Sequence, residues 1–297
     1  MTDAIEVFDR RAVRLHRDRA AARFEEHDFL KREVAERLVE RLADITRNFP
    51  RVLDLGCHDG TLGRVLRGVE TLVQCDLSPA MLARTNGIRL AADEERLPFA
   101  PNSFDAVLSV LSLHWVNDLP GALIQIRECL KPDGLFLAAL LGHGTLAELR
   151  QAWGEAELER EGGVSPRVSP FAELRDAAGL LQRAGFALPV ADAETIRVTY
   201  GDPFRLMTEL RGMGETNAVA ERRKRPTRRA TLIAAVEAYA RAAQADGRLP
   251  ASFEVIWLTA WKPHASQPKP LRPGSAAARL ADALGTVERP AGDKAKP

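Results

Sequence analysis

The stretch VLDLGCHDG, residues 52–60, decides the fold of this 297-residue chain. Apolar residues run into Asp54, a turn with Gly56 and Gly60 at its ends follows, and a helical pattern begins at Thr61. A strand that ends in such a turn lets a ligand approach bare backbone, and the N–H groups that open the next helix face that ligand. The stretch therefore predicts a βα unit with a ligand site at the carboxyl end of its strand.

A second acid lies where a nucleoside would be held. The run TLVQCD, residues 71–76, reads as the next strand and ends in Asp76. An acid at the tip of the second strand, roughly 20 residues beyond the glycine turn, is the group that hydrogen-bonds a ribose. The spacing of Gly56, Gly60 and Gly63 does not match the glycine fingerprint of dinucleotide sites. Together these features indicate another kind of nucleoside cofactor, bound at the switch point of a parallel sheet.

Strands and helices alternate along the following residues. A third strand is predicted from residue 88 to the acids at residues 93–95, further strands over residues 104–109 and 135–137, and a helix over residues 119–130. This alternation is typical of an α/β fold with a doubly wound, mostly parallel seven-stranded sheet of the Rossmann-like kind. Two later runs, residues 195–200 and 253–260, predict the antiparallel edge pair that closes the sheet.

Three regions are predicted from the pattern of the whole chain. They are an N-terminal helical segment (1–48), the sheet domain (49–262) with a helical insertion at about 201–250, and a mostly disordered tail (263–297). Further helices are predicted over residues 30–45, 169–185, 229–244 and 276–284. Asp28 is the expected N-cap of the first of these helices, and Pro170 and Gly185 the expected start and stop of the second.

Composition and charge exclude several classes of protein. A formal net charge of +1 argues against a general nucleic-acid or membrane binder, and the basic run at residues 222–229 has no interleaved aromatic side chains. No apolar run reaches the ~18 residues of a membrane span. The arginine-rich N-terminus also contains acids, unlike an organelle transit peptide. Three scattered cysteines suit a reducing cytosol. We therefore expect a cytoplasmic, monomeric protein without bound nucleic acid or stable membrane insertion.

The glycine turn resembles a known cofactor motif. The pattern Asp54-x-Gly56-x-His58-x-Gly60 is similar to motif I of the class I S-adenosylmethionine-dependent methyltransferases, in which a glycine stands at the position of His58. The resemblance implies S-adenosylmethionine as the cofactor. The implied cofactor residues are Asp54, Gly56 and Gly60 for the methionine end, Asp76 for the ribose, Leu77 and Asp93 for the adenine, and Cys57, Glu94 and Ser109 around them.

Segments beyond these motifs resemble a narrower group, the complex I assembly factor 5 proteins, which are the arginine-hydroxylase branch of this fold. The segments are residues 47–50, 92–95, 111–120, 159–163, 165–166, 169–171 and 212–217, within a resemblance that covers roughly residues 8–274. It implies a protein substrate, namely an arginine on the quinone-proximal iron–sulfur subunit of respiratory complex I, which is hydroxylated during assembly.

Two residues after the fourth strand are the candidate catalytic groups. His114 and Trp115 fall at the carboxyl edge of the sheet, where open α/β sheets bind ligands. A histidine can exchange protons near neutral pH, and the face of an indole attracts a guanidinium. The alternative is that both pack under the following helix. The tripeptide His16-Arg17-Asp18 matches a kinase motif and part of an iron site, but its arginine-rich helical context favours a chance match.

The reaction stays open at the level of sequence. Methyl transfer requires mainly positioning, whereas hydroxylation requires oxygen activation, normally by iron or flavin. No set of metal ligands has convincing spacing, so no metal is assigned. The alternatives to arginine hydroxylation are methylation of a small acid, as in biotin synthesis, and a non-catalytic assembly chaperone that binds the cofactor and works by docking.

Overall fold

A computed structural model describes residues 6–268 and 279–287 and divides the chain into two compact units. The first unit extends to His264 and contains the sheet, and the second begins at Ala265. The second unit includes the short helix Leu280–Ala283. The tail predicted at residues 263–297, and the start of its predicted helix, fall largely outside the described residues. Within the described ranges, no helix is long and apolar enough to cross a membrane.

The strands of the first unit form a seven-stranded mixed sheet. They are β1 (Arg51–Leu55), β2 (Thr71–Asp76), β3 (Ile88–Ala91), β4 (Phe104–Val110), β5 (Leu130–Leu141), β6 (Ala187–Tyr200) and β7 (Leu249–Trp261). Their order across the sheet is β3-β2-β1-β4-β5-β7-β6. The first five strands are parallel, and β7 runs antiparallel to both of its neighbours. The predicted α/β fold with an antiparallel edge pair is confirmed.

The helices cover both faces of this sheet. They are α1 (Arg10–Ala20), α2 (Phe29–Ala43), α3 (Thr61–Val65), α4 (Pro79–Leu82), α5 (Leu119–Cys129), α6 (Ala147–Glu161), α7 (Leu174–Arg183), α8 (Pro203–Gly212) and α9 (Arg229–Ala240). Because side chains alternate along a strand, Val52 packs into one core with α2, α6 and α9, whereas Leu53 packs into the other with α5 and α7. The strand order reverses at β1, which pairs with β2 on one side and β4 on the other. The crevice at the carboxyl ends of these strands is therefore the expected ligand site.

Three local predictions need correction. The helix expected from Ser169 begins at Leu174, because the backbone before it bonds elsewhere: the N–H of His143 donates to Ala172 O. Helix α9 ends at Ala240, short of the expected position 244. Asp28 precedes α2 but makes no capping hydrogen bond, since its carboxylate pairs with Arg32.

Candidate functional site

The turn between β1 and α3 brings backbone against the end of β4. Gly56 and Gly60 adopt left-handed conformations, with φ of +69° and +82°, and His58 also has a positive φ of 52°. A Cβ atom built on Gly56 would lie 2.0 Å from Ser112 Oγ. Gly56 is therefore required both by its conformation and by the close approach of Ser112.

Gly56→Ala should lower the free energy of unfolding by about 2–5 kcal/mol, because left-handed strain of ~1–2 kcal/mol adds to overpacking of ~1–3 kcal/mol. Gly68→Ala is the matched control, since Gly68 has a φ of +74° and no neighbouring heavy atom within 4 Å of the built Cβ. The control should lose only the free energy that left-handed strain costs, ~1–2 kcal/mol. Urea denaturation measures both variants, and equal losses would contradict the tight contact between Gly56 and Ser112.

A buried lysine lies beneath the glycine turn. Lys31 of α2 has its Nζ atom 3.1 Å from Gly56 O, 2.7 Å from His58 Nδ1 and 2.8 Å from Val110 O. Burial raises the pKa of Asp54 to about 7, while the charge of Lys31 opposes the shift. Neither carboxylate oxygen of Asp54 makes a well-formed hydrogen bond, although the Gln74 amide lies beside them. The motif acid is therefore buried near the turn, and the charge of Lys31 favours its ionised form.

Ser109 and Cys57, two smaller residues predicted around the cofactor, make contacts within the protein. Ser109 Oγ donates to Leu55 O at 2.8 Å, so it ties β4 to β1. The Cys57 thiol is fully buried, and burial raises its pKa well above the ordinary value.

The acids after β2 and β3 converge on arginines of α1. Asp76 Oδ2 lies 3.2 Å from Arg17 Nη1, and the same nitrogen lies 3.1 Å from Glu94 Oε1. Glu94 also accepts from Ser112 Oγ at 2.7 Å and pairs with Arg10. Although burial raises it, the charges of Arg10 and Arg17 lower the pKa of Glu94 from 4.5 to about 2. Glu94 is therefore ionised at neutral pH, with both of its oxygens paired to arginines.

The two residues predicted at the adenine lie at the edge of this cluster. Asp93 remains partly exposed and accepts from Arg10 Nη2 at 2.6 Å. Leu77 packs with Phe8 and Trp115 in a small apolar cluster.

These acceptors suit the adenosine half of a nucleoside cofactor, because carboxylates lie at the carboxyl ends of β2 and β3. The space between these carboxylates, however, is filled by other side chains. Asp76 and Glu94 are both 0% exposed, and Arg17 and Ser112 fill the gap between them. In this arrangement a ribose reaches Asp76 only if Arg17 moves.

The two candidate catalytic residues hold a third carboxylate. His114 Nε2 lies 3.1 Å from Glu215 Oε2, and Trp115 Nε1 donates to the same oxygen at 2.9 Å. The backbone nitrogen of Leu141 lies 3.5 Å from His114 Nδ1, on the other side of the ring. Trp115 is buried, and its ring makes T-shaped contacts with the rings of Phe8 and Phe171. Both predicted residues are thus brought together, with Glu215 as their shared acceptor.

Glu215 forms part of the wall of a cavity of about 530 Å³. The cavity has apolar walls, which include Trp153, Phe171, Met207 and Phe253. Four arginines also line it: Arg167, Arg211, Arg222 and Arg223. Glu215 and Leu141 line a second, smaller cavity that His58 and Lys31 border. Glu215 therefore stands between the large cavity and the glycine turn.

Sequence reasoning missed Arg17, Lys31 and Glu215. The tripeptide interpreted as a chance match contains Arg17, and Asp18 beside it accepts from Ser78 Oγ at 2.5 Å. The available signal was the seven-residue spacing of Arg10 and Arg17, which puts both on one helical face. Among the residues that the structure describes, no group of three or more His, Cys, Asp or Glu side chains forms a metal site.

Comparison with known proteins gives consistent matches. The profile of a family described as a methyltransferase domain matches residues 53–138. The arginine-hydroxylase NDUFAF5, mitochondrial, of Danio rerio is 43% identical over 286 residues, covering 93% of this chain and 89% of the relative. The malonyl-[acyl-carrier protein] O-methyltransferase of Halorhodospira halophila is 40% identical, covering 85% and 88%. The solved YcgJ protein of Bacillus subtilis superposes with a TM-score of 0.55 at 15% identity, covering 77% of this chain and 99% of YcgJ, and shows the fold alone.

Proposed function

This chain belongs to the class I S-adenosylmethionine-dependent methyltransferase family, within the group of the NDUFAF5 arginine-hydroxylases, and we propose that it modifies an arginine side chain of a protein. S-adenosylmethionine is the cofactor of the family. In this proposal, which rests on the resemblance of the motifs, the arginine belongs to the quinone-proximal iron–sulfur subunit of respiratory complex I and the modification is a hydroxylation during assembly. The expected cytoplasmic location and monomeric state remain predictions.

The observation that carries the proposal is the Glu215 carboxylate in the cavity wall. Burial alone would raise the pKa of Glu215. The hydrogen bonds from His114 and Trp115 and the charge of Arg17 outweigh burial and hold this pKa below its ordinary value. Both hydrogen bonds go to Oε2, and among the described residues no side chain donates to Oε1. An ionised carboxylate with a free oxygen in a cavity is a strong acceptor for a guanidinium.

The rest of the cavity suits the arginine side chain and its neighbours. Trp153, Phe171 and Met207 offer apolar surface to the methylene groups, while Glu215 receives the charged end. A volume of about 530 Å³ exceeds one side chain, so residues flanking the arginine also fit. In this proposal His114 and Trp115 are positioning residues, because they act on the substrate through Glu215.

Hydroxylation places further demands on the assay. Replacing a C–H bond by C–OH with dioxygen consumes two electrons and two protons and releases the second oxygen atom as water. The described residues are proposed to recognise the arginine, so an assay in vitro supplies S-adenosylmethionine, a two-electron reductant and dioxygen.

A second candidate, methylation of a small acid, has one observation in its favour. Four arginines line the cavity, and arginine is the usual partner of a substrate carboxylate. Arg167 and Arg222, however, are paired with Glu157 and Asp9, and Arg223 with Glu161. A malonyl thioester with S-adenosylmethionine is the substrate that tests this candidate.

Mass spectrometry of the iron–sulfur subunit, co-expressed with and without this chain, tests the proposal. We expect one arginine of the subunit to gain an oxygen atom only when the chain is present. A gained methyl group on arginine would support arginine modification but contradict hydroxylation. An unmodified subunit would contradict the proposal; methyl ester formation on the malonyl thioester would then favour the small-acid reaction, and stable association without any modification would favour the chaperone.

A further inference from the structure

Helix α1 places a buried guanidinium among the acids of the cofactor site. Arg17 contacts Asp76 and Glu94 at 3.2 and 3.1 Å through Nη1, and its Nη2 donates to Ser112 Oγ at 2.8 Å. The side chain is 1% exposed. Asp76 ends β2, and Glu94 and Ser112 lie in the loops that follow β3 and β4, so one arginine connects the carboxyl ends of three strands around the switch point.

Other residues of α1 also contact the segments that follow these strands. Arg10 donates to Asp93 Oδ1 at 2.6 Å and to Trp115 O at 3.1 Å, and Asp18 accepts from Ser78 Oγ at 2.5 Å. Positions 10 and 17 are seven residues apart, which places them on one face of a helix. The helix therefore covers the carboxyl ends of β2, β3 and β4 with a single charged face.

Arg17 and a ribose require the same acceptor. Asp76 is the acid at the tip of the second strand, where ribose hydroxyls donate in this class of site. Its Oδ2 atom also accepts from the backbone N–H of His58 at 2.9 Å, and Oδ1 accepts from that of Ser78 at 2.7 Å. With Arg17 added, the carboxylate is fully paired and fully buried.

We propose that α1 is an autoinhibitory lid, in which Arg17 and the adenosine half of S-adenosylmethionine compete for Asp76 and Glu94. The cofactor binds when α1 leaves the carboxyl edge of the sheet. The inference rests on the family's cofactor and is independent of the substrate that the enzyme modifies. Because only molecules with α1 displaced are competent, the apparent cofactor affinity is the intrinsic affinity reduced by their fraction.

The lid also contacts the segment that carries Glu215. The Asp9 N–H donates to Ala218 O at 2.8 Å, and a Cβ built on Gly214 would lie 3.4 Å from Arg17 Cα. His16, the neighbour of Arg17, lines the substrate cavity. Displacement of α1 therefore loosens one wall of that cavity, and binding at the two sites is linked through one helix.

Calorimetric titration with S-adenosylhomocysteine tests the competition in the full chain. Arg17→Ala should bind about tenfold more tightly than wild type or better, because the closed population is lost. Arg14→Ala is the matched control, since Arg14 lies on the same helix, has a 54% exposed side chain and, within the described ranges, forms an ion pair only with Asp18, at 3.6 Å. Its affinity should stay within about twofold of wild type. Unchanged or weaker binding by Arg17→Ala, or no binding by any of the three proteins, overturns the proposal.

Hydrogen exchange of the wild-type protein gives a second test that does not depend on how a variant folds. Saturating S-adenosylhomocysteine should speed amide exchange in α1 (Arg10–Ala20), because the helix loses its contacts with the loops. Slower or unchanged exchange in α1 on ligand binding overturns the lid. Neither experiment involves arginine modification, so failure here leaves the proposed function to its own test.

Discussion

Glu94→Ala is expected to reduce the free energy of unfolding by about 3–5 kcal/mol, the cost of removing one partner from a buried ion-pair cluster. Glu94 is fully buried and accepts from Arg10, Arg17 and Ser112. Its loss leaves Arg17 with Asp76 as its only ionic partner among the described residues, in a fully buried site. Urea denaturation at neutral pH measures the loss.

The control for this prediction is an exposed pair of the same type. Glu33 pairs with Arg37 across one helical turn of α2, with side chains 47% and 34% exposed. Glu33→Ala should cost less than about 1 kcal/mol, because solvent screens that pair. A similar loss in both variants would show that burial of the Glu94 cluster does not determine its contribution.

Glu94 should also make stability depend on pH in the acid range. Its folded-state pKa is lowered from 4.5 to about 2, so its contribution is complete above the unfolded-state value and disappears as pH falls through about 2. The difference in unfolding free energy between wild type and Glu94→Gln should therefore shrink between these two pH values. A constant difference would contradict the ionised, paired state.

Glu215→Gln is expected to lower kcat/KM for arginine modification about 10–100-fold, because a hydrogen bond to a charged group is worth ~1.5–3 kcal/mol. Glutamine keeps an oxygen that can accept from His114 and Trp115, so the fold and the affinity for S-adenosylhomocysteine should be unchanged. The loss should appear mainly as a higher KM, since the carboxylate binds the substrate cation. Steady-state kinetics on the iron–sulfur subunit measure it.

Glu209→Gln is the matched control for Glu215. Glu209 lies on the same insertion and also pairs with a histidine, His27, at 2.7 Å, but it does not line the large cavity. It should retain wild-type kinetics. If Glu215→Gln has the same kcat/KM as Glu209→Gln, the proposal that Glu215 recognises the guanidinium is wrong. The arginine-lined part of the cavity then becomes the candidate substrate site.

Patterns over short stretches of the sequence predicted the strands and helices of this protein and the turn at its ligand site. The alternation of strands and helices, the turn from Gly56 to Gly60 and the acid at the end of β2 all follow from short-range periodicity and turn chemistry. These features depend on neighbours in the chain, which is why they could be read before any fold was known. The helix expected at Ser169 failed because the backbone at Ala172 bonds to His143, a partner outside its own segment.

Long-range contacts decided the site itself. Arg17 meets Glu94 across 77 positions of the chain, and His114 meets Glu215 across 101. Spacing showed that Arg10 and Arg17 share a helical face, but it carried no information on what that face covers. The sequence by itself determined a class I sheet and the acids at its carboxyl edge. Tertiary structure alone decided that an arginine of α1 neutralises those acids and that Glu215 faces a cavity, because a buried charge is held only where packing brings its partner to it.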